Sequence, residues 1–190
     1  MSALDKAHRL LAPRIAYLIG TRSAGGTGNL IPVSNVTAIS TNPQQVCVAV
    51  YNQWETQSNL LTAEGFTLSV PHMDQLDGVW KLGAKYSRYQ YQSNAHKFAE
   101  SLLTIDESVC AYGPIVPDAI GWMSLRILQH LDFQGDHTLF IAQVEAVTFN
   151  AAYVNADGTP GAEVRPVMQI TGNTFTTGAD TITLPYAEYS

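Results

Sequence analysis

Apolar residues along this chain fall mostly into short runs separated by Gly, Pro and Asn clusters, and only a few stretches show helical spacing. Short runs rich in Ile and Val and bounded by turn residues read as strands. Arg14 to Thr21 is one such strand, apolar on both faces, and the turn Ser23-Ala24-Gly25-Gly26-Thr27-Gly28 leads from it into a strand-like stretch, Leu30 to Ser40. After a turn at Asn42-Pro43, Gln45 to Tyr51 alternates Val46, Val48 and Val50 against the small Cys47 and Ala49. Such alternation of large and small residues suits the interior of a narrow barrel. Phe66 to Val70, Gly121 to Leu131, Thr138 to Phe149, Val164 to Thr171 and Asp180 to Leu184 complete the expected β content.

Helical spacing is confined to four places. Leu4, Ala7, Leu10 and Leu11 predict a lead-in helix within residues 1–12, stopped by Pro13. Asn52 and Glu55 have the spacing of a capping box, which predicts a short helix through Thr56, Asn59, Leu60 and Ala63 ending at Gly65. Leu76, Val79, Trp80 and Leu82 predict a helix capped by Asp74, and Ser93 to Leu103 another in which Phe98 packs on Leu102. Residues 72–118 therefore read as a helical and loop insertion covering one mouth of a barrel. The fold class expected is mainly β: one domain, 1–190, an antiparallel barrel with short helical insertions rather than a parallel α/β sheet.

Composition narrows the possible partners. A chain of 190 residues with 46% hydrophobic and 14% charged residues can bury a substantial core, and its low charge agrees with a surface partly covered by another chain. The net charge of −6 comes with no Lys/Arg cluster, which argues against nucleic acid. No apolar run approaches the roughly 18 residues of a spanning helix, and MSALDKAHRL lacks a signal-peptide core. With only Cys47 and Cys110, and no metal-ligand spacing among His8, His72, His96 and His130, a cytoplasmic protein without a metal centre is expected.

Candidate chemistry concentrates between the first strands. Asn29, Ser34, Asn35, Thr37 and Ser40 place hydrogen-bonding side chains in a segment that is itself strand-like. Buried polar groups need partners, so this pattern implies a polar ligand or a second subunit. Gly25, Gly26 and Gly28 are not a dinucleotide fingerprint, because the residues after them are β-like and include Pro32 where that fingerprint needs a helix. Gly83 to Tyr91 has no helical or strand period but collects Lys85, Arg88 and three tyrosines, a solvated loop on the residues alone. On the residues alone His137 reads as a turn histidine paired with Asp136 or the backbone.

The order Gly28-Asn29-Leu30-Ile31-Pro32-Val33-Ser34, Ser40-Thr41-Asn42-Pro43, Val46 to Val50, Glu55-Thr56-Gln57-Ser58-Asn59-Leu60 and Gly135-Asp136-His137-Thr138-Leu139-Phe140 resembles the flavin reductase and flavoredoxin family of FMN-binding split β-barrels. The resemblance runs from about Pro13 to Thr171. It implies a Greek-key-like barrel, a homodimer, and one FMN per subunit near the dimer interface, reduced by NADH or NADPH; FAD or a deazaflavin is also compatible. It implies further that Asn29, Leu30, Ile31 and Ser34 lie along the flavin ring, that Ser40 and Thr56 approach the ribityl chain or phosphate, and that Thr37 belongs to the cofactor-binding set. Lys85, Tyr86 and Arg88 would supply a cation and a stacking lid, and His137 would stand near the nicotinamide as the candidate catalytic residue. The activity implied is hydride transfer to flavin, with free flavin, a ferric chelate or a monooxygenase partner as acceptor. A non-catalytic flavin carrier is the alternative, and a pyridoxamine-phosphate-oxidase-like enzyme a more distant one. Trp54-Glu55 and Asn42-Pro43-Gln44 depart from the usual family pattern around the phosphate.

Overall fold

The computed structural model describes residues 4–83 and 88–178. Its centre is a seven-stranded sheet in the order β3-β2-β6-β7-β8-β5-β4, antiparallel between every pair of neighbours. The strands are β2 (Tyr17–Arg22), β3 (Gly28–Val33), β4 (Val36–Thr41), β5 (Gln44–Tyr51), β6 (Gly65–Val70), β7 (Gly121–Asp132) and β8 (His137–Phe149). The two edge strands, β3 and β4, are consecutive in sequence and joined only by Ser34 and Asn35. A link of that length spans at most about 10 Å, so the sheet must curl until its edges meet at this corner. The Asn35 carbonyl accepts from the Ala49 N–H at 2.9 Å there. The result is a split β-barrel.

Alternation along the strands fills the barrel. Val46, Val48 and Val50 join Ile19, Phe66, Leu68, Leu125, Phe140 and Ala142 in an interior cluster, nearly all fully buried. Leu18 and Leu30 point the other way, and a second cluster with Val79, Leu82 and Val116 covers them from outside. Both faces of β2 are therefore apolar for a physical reason: one lines the barrel and the other lies under α2 (Leu76–Leu82). The hairpin between β2 and β3 closes as its glycines suggest, with Gly26 at φ 82° and the Ser23 N–H bonded to the Thr27 carbonyl at 2.9 Å.

Several local expectations are corrected. Arg14 to Thr21 is two strands: β1 (Arg14–Ile15) belongs to a small separate sheet with β9 (Met168–Thr171) and β10 (Thr174–Thr176), and the chain changes sheets at Ala16, whose N–H bonds the Val167 carbonyl at 2.8 Å. Leu30 to Ser40 is likewise divided between the two edges of the barrel. The helix after β5 is α1 (Glu55–Leu60), capped by the Trp54 backbone and not by Asn52. The Asn52 side chain instead donates to the Gly135 carbonyl and accepts from the Thr138 hydroxyl, tying the end of β5 to the β7–β8 turn. Gly65 is the first residue of β6, where a side chain would collide with Tyr112 and the Leu125 carbonyl.

The remaining corrections concern the insertion and the termini. His72, not Asp74, caps the turn before α2. Ser93 caps α3 (Asn94–Ser101), which ends when Leu102 turns left-handed (φ 57°) and faces solvent, so the Phe98–Leu102 pair does not form. The N-terminal segment is a 3₁₀ helix, Leu4–Leu11, with Leu4, Leu10 and Leu11 exposed. The expected strand Asp180 to Leu184 lies outside the described residues. Among the described residues no helix is long and apolar enough to cross a membrane, and no group of three His, Cys, Asp or Glu is placed to hold a metal ion.

Candidate functional site

Two neighbouring cavities open beside the β3–β4 corner. The smaller, about 210 Å³, is walled by Asn29, Ile31 and Pro32 of β3, by Gln53 to Thr56 at the start of α1, by Leu82 and Gly83, and by Lys97 of α3. The larger, about 560 Å³, shares Pro32, Trp54 and Gly83 with it and extends past Val33, Ser34, Asn35 and Ala49 to Arg14, Trp80, Asp136, His137, Gln169 and Phe175. A volume of this order falls in the range of small-molecule sites.

The smaller cavity is built on a buried polar relay. Asn29, 2% exposed, accepts from the Lys97 ammonium at 2.6 Å and donates to the Thr56 hydroxyl at 3.0 Å. Beside it, Asn59 of α1 donates to the Thr21 hydroxyl at 3.1 Å, fixing α1 across the barrel end. Lys97 is 6% exposed, and burial pushes its pKa down to about 8, opposed by the charge of Glu55. Among the described residues it forms no ion pair. An ammonium has three N–H donors and Asn29 uses one. A nearly buried cation with donors to spare, beside a hydroxyl in a cavity, is suited to an anion.

The larger cavity is lined by both aromatic and polar side chains. Trp54 stands between the cavities, with Tyr51 edge-on behind it at 5.8 Å, and Trp80 meets Phe175 edge-on at 5.8 Å. On its lining His137 Nδ1 lies 2.6 Å from the Asp136 carboxylate, which this hydrogen bond holds below the usual carboxylate range. On the same lining Arg14 Nη1 donates to Asn35 Oδ1 at 2.7 Å, and the Ser34 hydroxyl donates to Gln169 Oε1 at 3.2 Å.

The structure brings together only part of the residue set expected from sequence. Asn29, Ile31 and Thr56 line the smaller cavity, and Ser34 and His137 the larger. Leu30 points into the outer apolar cluster. Thr37 and Ser40 lie on β4, at the opposite edge, and line neither cavity of this chain. Arg88 is exposed, with φ 66°, and also lines neither. Lys85 and Tyr86 fall outside the described residues. The cation that the structure does supply, Lys97, was missed. Its signal was the pairing of Lys97 with Ser101 at i,i+4, which together form the buried stripe of α3.

A sequence profile of the flavin reductase-like domain matches residues 9–162. The chain belongs to that family. A Pyrococcus abyssi relative, itself described as uncharacterized, is 26% identical over 175 residues, covering 92% of this chain and 96% of that protein. Among solved structures, an FMN-binding protein from Thermus thermophilus with bound 1-cyclohex-2-enone superposes with a TM-score of 0.75 at 22% identity, covering 92% of this chain and 91% of that one. Flavoredoxin from Desulfovibrio vulgaris (Miyazaki F) gives 0.75 at 19% identity, with 92% of each chain covered. At these identities the likeness is one of fold, and this member of the flavin reductase-like family must be read from its own cavities.

Proposed function

We propose that this protein binds FMN and works as an NAD(P)H:acceptor oxidoreductase of the flavin reductase type. The observation that carries the reading is the Lys97–Asn29–Thr56 relay, an anion site opening beside a larger aromatic cavity. The residues fit the group: a phosphate meets the Lys97 ammonium and the Thr56 hydroxyl, and a planar ring system meets Pro32, Trp54 and the β3–β4 corner. Bound there, FMN supplies a ring that takes a hydride from a nicotinamide and passes its electrons to an acceptor. The protein's own part is positional. Asn29 holds Lys97 and Thr56 in place, Trp54 separates the phosphate end from the ring end, and Asp136 orients His137 at the rim facing the second ring. No side chain needs to act as nucleophile.

The same reading takes the protein as a homodimer, with FAD a possible alternative flavin, a cytoplasmic setting, and free flavin, a ferric chelate or a monooxygenase as the downstream acceptor. Exposed Ile39, Leu128, Val147 and Phe149 on β4, β7 and β8 are apolar side chains that a second copy would cover. The test is anaerobic addition of NADH and of NADPH to the FMN-loaded protein. Bleaching of the flavin absorption by either is expected; flavin that stays oxidised with both identifies a carrier instead of a reductase.

A further inference from the structure

Arg14 is a cation that the fold has placed at the larger cavity without an acidic partner. It sits on β1 in register with Gln169 of β9, where the small sheet meets the Ser34–Asn35 corner of the barrel. One of its five N–H donors reaches Asn35 Oδ1. Its Nε is buried with no hydrogen-bond partner, and among the described residues it forms no ion pair. Among the described residues the one carboxylate lining this cavity, Asp136, is engaged by His137. An uncompensated guanidinium with a buried unused donor is costly in the empty protein, which is accounted for if a ligand bearing acceptors and negative charge completes it.

Resting on the flavin reading above, we infer that Arg14, held by Asn35, faces the pyrimidine edge of the bound ring and selectively stabilises its reduced, anionic form. The relay at Lys97 takes the phosphate in the smaller cavity, so Arg14 and Asn35 in the larger one are left for the polar edge of the ring, whose carbonyls accept hydrogen bonds. A hydride carries two electrons and one proton: the C–H bond of the nicotinamide breaks, an N–H bond forms on the ring, the donor leaves as its pyridinium, and one net negative charge stays on the pyrimidine. A guanidinium there gains strength on reduction and so raises the midpoint potential. Ser34 and Gln169, bonded to each other, fix the neighbouring wall.

The test is the midpoint potential of bound FMN, at one fixed pH, in the parent protein and in Arg14→Met, Arg14→Lys and Asn35→Asp. Arg14→Met removes the charge, and Asn35→Asp neutralises it while keeping the fork occupied. Each is expected to weaken reduced FMN relative to oxidised FMN at least tenfold, a fall of about 30 mV for a two-electron couple, with Arg14→Lys between them and the parent. Parental potentials in Arg14→Met and Asn35→Asp would overturn the inference while leaving the flavin reading intact. If Arg14→Met does not fold or hold FMN, Asn35→Asp decides alone. A parent protein that takes up no FMN at all overturns the flavin reading itself, and this inference with it.

Discussion

Lys97 is the residue on which most of the site's energetics turn. With its pKa lowered from the ordinary 10.5 to about 8, the folded, ligand-free chain holds this proton less tightly than the unfolded chain. The penalty of burying the charge is therefore fully present below pH 8 and disappears as pH rises from about 8 to 10.5, so the free protein gains stability across that window. A bound phosphate reverses this by favouring the ammonium. FMN affinity is then expected to be nearly level below pH 8 and to fall above it by up to about tenfold per unit, and a titration followed by flavin fluorescence from pH 6 to 10 checks the slope. Lys97→Met should weaken binding by about 10- to 100-fold, the value of a charge-assisted hydrogen bond, and flatten the pH dependence. Asn29→Leu leaves both Lys97 and Thr56 without their buried partner, so urea denaturation of the free protein should show a loss of about 1–3 kcal/mol.

At the scale of elements, the site depends on a break that the sequence barely marks. Hairpins announced by Gly25-Gly26 and Asn42-Pro43, and the Val46-Val48-Val50 alternation, were legible because turn chemistry and side-chain parity are local. The separation of β3 from β4 was not, since Ser34-Asn35 carries neither Gly nor Pro and β-compatible residues run through it. That is why Asn29 and Ser40, expected on one polar strand, stand on opposite edges of the barrel. Lys97 was hidden for a related reason: helical spacing shows which residues share a face, and only contacts with β3, 68 residues away, show that this face is buried. Arg14 likewise gains its setting from β9 and the barrel corner. Because the corner forms the wall between barrel and small sheet, Ser34→Tyr should fill the larger cavity, abolishing FMN uptake while far-UV circular dichroism and the thermal transition remain those of a folded barrel; retained flavin would place the ring elsewhere.

For the whole molecule, closure of the barrel leaves two surfaces unaccounted for within one chain. Ile39, Leu128, Val147 and Phe149 on β4, β7 and β8 are exposed, and both cavities reach Gly83. A second copy covering these side chains accounts for the first. Light scattering is expected to give a dimer, and Val147→Glu a shift toward monomer; an unchanged dimer would mean that the contact lies elsewhere. The central claim, that this member of the flavin reductase-like family carries FMN with its phosphate on Lys97, is tested most directly by the visible spectrum after incubation with FMN and removal of the excess. The parent protein should retain bands near about 370 and 450 nm, and Lys97→Met should retain them more weakly, as a roughly 10- to 100-fold loss of affinity requires. A parent protein that stays colourless, or a Lys97→Met variant that holds FMN as tightly as the parent, would contradict the claim.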